Sequence, residues 1–147
     1  MMPGAKPKQT RRSLPMALLR AREAVMVNFR PMLIRHEVTE QQWRVIRVVA
    51  EAGKLDASEV AARASILAPS LTRMIRSLEK RKFIKRRKDA NDGRRVILEI
   101  CAVGTALIER ASPESLAIYD RIESKFGTSK LESLLDLLDE LAEQPLD

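Results

Sequence analysis

Residues 67–100, LAPSLTRMIRSLEKRKFIKRRKDANDGRRVILEI, decide how the rest of the chain is read. Leu71, Ile75 and Leu78 recur at helical spacing, with Thr72, Arg73 and Arg76 on the opposite side. Pro69 stands just inside the start, where its missing backbone donor costs nothing, so a helix is predicted from the Ala68-Pro69-Ser70 step. FIKRR and RVILEI then read as short strands around an Asp92-Gly93 turn. Immediately upstream, Asp56 or Ser58 can cap a short helix over EVAARAS, and about four residues join it to the helix that follows. Two short helices joined that tightly and followed by a hairpin predict a helix-turn-helix with a wing.

Charge points the same way. Of the 27 Lys and Arg and 20 Asp and Glu in 147 residues, twelve and three respectively lie between residues 63 and 95. The formal charge of +7 is therefore gathered in one part of the chain. Such a field favours a polyanion, because neutralising phosphates releases their counterions. The bland alternative, a solvated charged face, fits less well where turn and helix signals occupy the same block.

Several classes are disfavoured. One cysteine, Cys101, excludes an internal disulfide framework and any multi-cysteine metal site, and suits a reducing cytoplasm. There is no GxSxG, no phosphate-binding glycine loop and no histidine pair, so neither an enzyme nor a metal or cofactor site is expected. The basic start MMPGAKPKQTRRS lacks an apolar run, and no stretch approaches the roughly 18 apolar residues of a membrane span. A soluble cytoplasmic protein without a membrane partner is expected.

Helices flank the basic block. Leu14, Leu18, Ala21, Val25, Phe29 and Met32 form a helical stripe after Ser13, which Pro31 should kink near its end. Thr39 with Gln42 gives a Thr-x-x-Gln capping box for a second helix, which Gly53 stops. After Cys101 the chain returns to helix, with a kink or a break between two abutting helices expected at Pro113. Residues 104–147 hold ten acids and four bases, and Leu131, Leu134, Leu135, Leu138 and Leu141 line one helical face. That face suits a partner protein or the chain's own core, and a dimer satisfies both.

The order of elements resembles the MarR group of dimeric winged-helix transcription regulators, from about Leu14 to Leu141. The resemblance rests on SLTRMIRSLEKR, on the wing with Asp92 and Arg94, and on VILEICAVGTAL after it. LLRAREAVMVNFRPMLIRHEVTEQQWRVIRVVAE and ASILAPSLTRMIRSLEKR are similar to the branch regulating homoprotocatechuate (4-hydroxyphenylacetate) degradation operons. The implied fold is mainly α with a small β-hairpin wing: a winged helix-turn-helix domain plus a helical dimerisation domain from the N- and C-terminal helices. The expected division is a disordered basic arm at 1–12, a dimerisation region at 13–36 and 102–145, and a DNA-binding domain at 37–101. Three positions depart from the family pattern: Gly93 where arginine is frequent, Lys82 where glycine often ends the recognition helix, and Cys101 in place of a capping threonine.

The implied function is a DNA-binding transcriptional regulator, a repressor released by a small aromatic acid or its CoA thioester, acting as a homodimer on a pseudo-palindromic operator in double-stranded DNA. The first turn of a recognition helix meets base edges in the major groove, which assigns Pro69, Ser70, Thr72 and Arg73 there and Arg76 to phosphate. A hairpin tip can place one arginine in the narrow minor groove. By resemblance that residue is Arg94, aimed by a bidentate pair with Asp92, with Arg95 a substitute contact and Lys85, Arg86, Arg87 and Lys88 near phosphate. For the effector, Arg44 suits a carboxylate, Trp43 a ring and His36 a hydroxyl, in a pocket that the resemblance puts between dimerisation helices and DNA-binding domain. Asn28, Arg30 and Tyr119 belong to the helices expected to wall it. Each also has a plain structural reading: Trp43 as core, His36 as a helix-end residue, Arg44 in an ion pair. Two rivals stay open, a redox-sensing regulator using Cys101 and a non-specific architectural winged helix.

Overall fold

The computed structural model describes residues Gln9 to Leu146. The basic arm expected at 1–12 lies outside the described residues as far as Lys8, and Thr10–Arg12 form one 3-10 turn. The elements are α1 (Leu14–Arg35), α2 (Glu40–Ala52), β1 (Lys54–Asp56), α3 (Ala57–Ala64), α4 (Ala68–Lys80), β2 (Ile84–Lys88), β3 (Val96–Ile100), α5 (Ala102–Phe126) and α6 (Thr128–Glu143). They fall into two compact units, one spanning Pro31–Leu116 and the other made of the chain up to Arg30 and from Ala117 onward. The division runs inside α1 and α5, not at residues 36/37 and 101/102. The physical reason is burial: Met32, Leu33, Leu107 and Ala111 are core residues of the 31–116 unit, so both helix ends belong to it.

That unit is built on local signals. The Thr39–Gln42 capping box is complete: Thr39 Oγ1 accepts from Gln42 N at 3.1 Å and Gln42 Oε1 accepts from Thr39 N at 3.0 Å. Trp43, Val45, Ile46 and Val49 of α2 are buried, and Val60, Ala61 and Ala64 of α3 join them. Gly53, at φ 80°, turns the chain into β1. β1 is a third strand that the hairpin reading missed. The sheet is antiparallel in the order β1-β3-β2, with Lys54 opposite Glu99 and Asp56 opposite Ile97. Three residues are too few to show a periodicity, and pairing with β3 is what makes KLD a strand.

Three helices end on residues forced into the left-handed region: Glu37 (φ 56°), Ser65 (φ 54°) and Lys82 (φ 63°). After α4, Phe83 N donates to Leu78 O and Lys82 N to Glu79 O, the paired bonds of a Schellman end, while Leu78 and Phe83 are both buried. The chain thus leaves α4 as a glycine would direct it, and Lys82 bears the strain of its Cβ. Lys82→Gly should stabilise the protein by about 1 kcal/mol. Thermal unfolding tests this, and a midpoint equal to or below wild type would show Lys82 to be unstrained.

α1 continues through Pro31 and α5 through Pro113, so neither helix breaks. Pro31 and Val27 are exposed, as are Pro113 and Glu109, so water can satisfy a carbonyl that loses its donor. Cys101 N donates to Phe83 O at 2.9 Å and Cys101 O accepts from Thr105 N at 3.0 Å. Its backbone, not its thiol, starts α5.

In the other unit the rings of Phe29 and Tyr119 meet at 5.1 Å with 60° between planes. Its apolar residues are otherwise largely open. Leu14, Leu18, Leu19, Val25 and Val27 of α1 are exposed, α6 buries none of its residues, and Leu134, Leu135, Leu137 and Leu141 face solvent. No helix of the described residues is long and apolar enough to cross a membrane.

Candidate nucleic-acid interface

α3 and α4 are positioned from below by apolar contacts and from their ends by caps. Asp56 Oδ1 accepts from Ser58 N at 2.7 Å and starts α3. The turn 65–67 buries Ile66 and leaves Leu67 77% exposed at the tip of α4. Leu71, Ile75 and Leu78 fasten α4 to the core, so Thr72, Arg73 and Arg76 face outward, with Ser70 half-buried. Thr72 Oγ1 donates to Ala68 O at 3.0 Å, and Arg73 Nη2 reaches Ser70 Oγ at 3.4 Å. Neither Arg73 nor Arg76 forms an ion pair among the described residues. Two exposed cations on one helix turn are available for an anion.

The wing is longer at its tip than a two-residue turn. β2 and β3 pair from Ile84 opposite Ile100 to Lys88 opposite Val96, leaving residues 89–95 as the connection. Two aspartates fold it: Asp89 Oδ1 accepts from Asn91 N and Asp92 Oδ1 from Arg94 N, both at 3.0 Å. Gly93 is not at positive φ and a Cβ there meets nothing within 4 Å, so glycine is not required by the backbone. The carboxylates do the work expected of the Asp-Gly pair.

Acids sort the wing's cations. Glu99 receives Lys85 Nζ at 3.0 Å and Arg87 Nη2 at 2.8 Å, and the Lys85 hydrogen bond, then Arg87, holds its carboxyl below the usual range against the opposing effect of desolvation. Arg86, expected at phosphate, has its Nε 3.2 Å from Glu79 Oε1. Arg95 Nε donates to Asp56 Oδ2 at 2.7 Å, with Nη1 3.4 Å from Asp89 Oδ2. This hydrogen bond, followed by that from Ser58 N, lowers the Asp56 pKa. Arg94 is different. Its side chain is 95% exposed and its Nε lies 3.6 Å from Asp92 Oδ1, so the expected bidentate pair is a single long contact. Lys88 is exposed and, like Arg94, extends from the tip end of the hairpin.

The residues considered for an effector are divided between the two units. In the 31–116 unit, His36 Nε2 is 3.4 Å from Glu114 Oε1, and Arg35 pairs with the same carboxylate, the main cause of its lowered pKa. Trp43 is 9% exposed and belongs to the core, while Arg44 on the next position of α2 is half-buried. In the other unit Arg30 makes two hydrogen bonds to Glu23, at 2.9 and 2.7 Å. Asn28 Nδ2 donates to the carbonyls of Ala24 and Val25 in its own helix, and Tyr119 sits against Phe29. Glu114, Glu23 and Leu67 were not singled out from sequence. Glu23 stands two turns before Arg30 and was findable on a helical wheel; Glu114, 78 residues from His36, was not.

Comparison with known proteins places these features. A model of the MarR family matches residues 38–96. The chain is 45% identical over 130 residues to the HTH-type transcriptional regulator FarR of Neisseria gonorrhoeae, spanning 88% of this chain and 89% of that protein. It is 42% identical over 128 residues to the homoprotocatechuate degradative operon repressor of Escherichia coli, spanning 87% and 86%. Among solved structures, that of NadR in complex with 4-hydroxyphenylacetate matches with a TM-score of 0.83 and 44% identity, over 95% of this chain and 100% of the other.

Proposed function

The chain belongs to the MarR family, and from that premise we propose that it is a sequence-specific DNA-binding repressor of transcription, released from its operator by a small aromatic acid or its CoA thioester. The observation that carries the reading is the charge pattern of the helix-turn-helix unit. Most wing cations are matched by acids, while Arg73 and Arg76 on α4 and Arg94 and Lys88 on the wing face solvent. Pro69, Ser70, Thr72 and Arg73 meet base edges, Arg73 being suited to two hydrogen bonds from guanine. Leu67 and Pro69 add an apolar tip fit for a thymine methyl. Arg76 and Lys88 meet phosphate, and Arg94 enters the minor groove.

The protein works as a homodimer in the cytoplasm. Support comes from α6 and the first half of α1, whose exposed leucines and valines need a cover that a second copy supplies. A two-fold dimer carries two recognition helices, so the operator is a pseudo-palindrome with half-sites roughly 10 base pairs apart.

The effector is a phenolic acid, a proposal that rests on the likeness to NadR in complex with 4-hydroxyphenylacetate. Trp43 offers a ring edge, Arg44 a cation for the carboxylate and His36 a polar nitrogen, with Asn28, Arg30 and Tyr119 as further candidates. A ligand releases DNA only by binding the DNA-free state better than the bound one. Titrating phenylacetates, cinnamates and their CoA thioesters into the protein should therefore raise its unfolding midpoint and weaken its hold on operator. At a hundredfold excess over the dissociation constant the stabilisation is about 2.7 kcal/mol. No response to any aromatic acid would remove the effector proposal.

A further inference from the structure

We infer that Arg95 serves DNA recognition without touching DNA: through its ion pairs to Asp56 and Asp89 it clamps the wing to the N-terminus of α3, so that wing and recognition helix are presented in one fixed arrangement. The inference rests on the DNA-binding reading above. Its basis is the position of one guanidinium among three elements. Arg95 immediately precedes β3, Asp89 follows β2, and Asp56 ends β1 while capping α3. Nε of Arg95 donates to Asp56 Oδ2 at 2.7 Å, and Nη1 lies 3.4 Å from Asp89 Oδ2. The other oxygen of Asp56 accepts Ser58 N at 2.7 Å. One carboxylate thus ties the helix start to the wing, and because the cap fixes its orientation, it fixes where Arg95 must lie.

No buried side chain of the loop performs that task. None of residues 89–95 is buried, and the groove of about 790 Å³ beside the wing is lined by Leu55, Ala90 and Ile97 as well as by Lys54, Asp56, Asp89 and Arg95. The loop is held by its ladder ends, its own turns and these ion pairs. Asp89 N donates to Arg95 O and Arg95 N to Asp92 O, both at 3.0 Å, so a displaced Arg95 would loosen the turn that presents Arg94. A pair whose guanidinium is exposed contributes little to global folding, which leaves its effect local. The cluster is also the wrong sign for a phosphate contact, since two carboxylates outweigh one guanidinium.

That sign gives the test. Asp56→Asn keeps an oxygen for the α3 cap but removes a negative charge, so electrostatics by itself would tighten binding to DNA, whereas loss of a clamp weakens it. An operator duplex selected from random DNA by the wild-type chain serves as probe, with Asp56→Asn, Arg95→Ala and the double variant compared. Each single change should weaken operator binding about tenfold, and the double no further, because both break one interaction. The slope of log affinity against log salt should stay at its wild-type value. In the free protein, the Asp89 amide should exchange its hydrogen about tenfold faster in either variant, with the unfolding midpoint unchanged. Tighter binding by Asp56→Asn, or a slope shallower by about 0.9 in Arg95→Ala, the mark of a lost phosphate contact, would overturn the clamp. So would unaltered exchange at Asp89. The exchange measurement needs no DNA, so it fails with the clamp and not with the regulator reading.

Discussion

Arg94→Ala is expected to weaken operator binding by about tenfold to a hundredfold, or about 1.4–2.8 kcal/mol, while dimerisation and helical content stay as they are. The side chain is 95% exposed and makes a single contact of 3.6 Å with Asp92, so removing it disturbs nothing in the free protein. In the complex it would lose both a cation in a groove of strong negative potential and any preference for a narrow groove. Arg86→Ala is the fitting comparison. That guanidinium has similar charge but already faces Glu79 at 3.2 Å, so its removal should cost less than Arg94 does. Filter binding or fluorescence anisotropy at fixed salt would measure both. A change below about threefold for Arg94→Ala, under 1 kcal/mol, would dismiss the wing as a contact element.

The second large effect concerns folding. Gly104→Ala should destabilise the protein by about 3 kcal/mol, the sum of overpacking and a weakened hydrogen bond. A Cβ at this position would lie 2.4 Å from Phe83 O and 2.6 Å from Ile100 Cδ1. The isoleucine methyl can turn away. The carbonyl cannot, because it is backbone at the end of a Schellman turn and accepts Cys101 N at 2.9 Å. The added carbon therefore pushes α5 away from the bond that anchors its start. Gly93→Ala supplies the contrast, since that glycine has no neighbour within 4 Å and no positive φ. Urea unfolding of the two variants should separate them clearly, and a wild-type midpoint for Gly104→Ala would show that α5 can shift without cost. This matters for function, because Phe83 leads directly into the wing.

Much of the site was legible because it is written in local chemistry. The capping box at Thr39, the cap at Asp56, the stop at Gly53 and the apolar stripe of α4 each depend on side chains within a few residues of the backbone they serve. Lys82 is instructive: it stands where glycine often ends the helix, yet the chain adopts the left-handed turn without one. Burial of Leu78 and Phe83 outweighs a strain of about 1 kcal/mol. A kink was expected at Pro31 and a kink or two abutting helices at Pro113; with the affected turns exposed, both helices continue through their prolines.

Neighbouring residues are enough to specify the class of the protein: a helix-turn-helix and a hairpin in a basic block, flanked by helices with apolar stripes. Periodicity, capping and net charge are properties of neighbouring residues, so they survive without a fold. Which cations remain to meet DNA depends on contacts made across the fold. Glu79 takes Arg86, Glu99 takes Lys85 and Arg87, and Asp56 takes Arg95 across 39 positions of chain. An ion pair falls off with distance in space and is indifferent to distance along the chain. The charge of the basic block could therefore be counted from sequence, but its distribution between holding the wing and facing DNA could not.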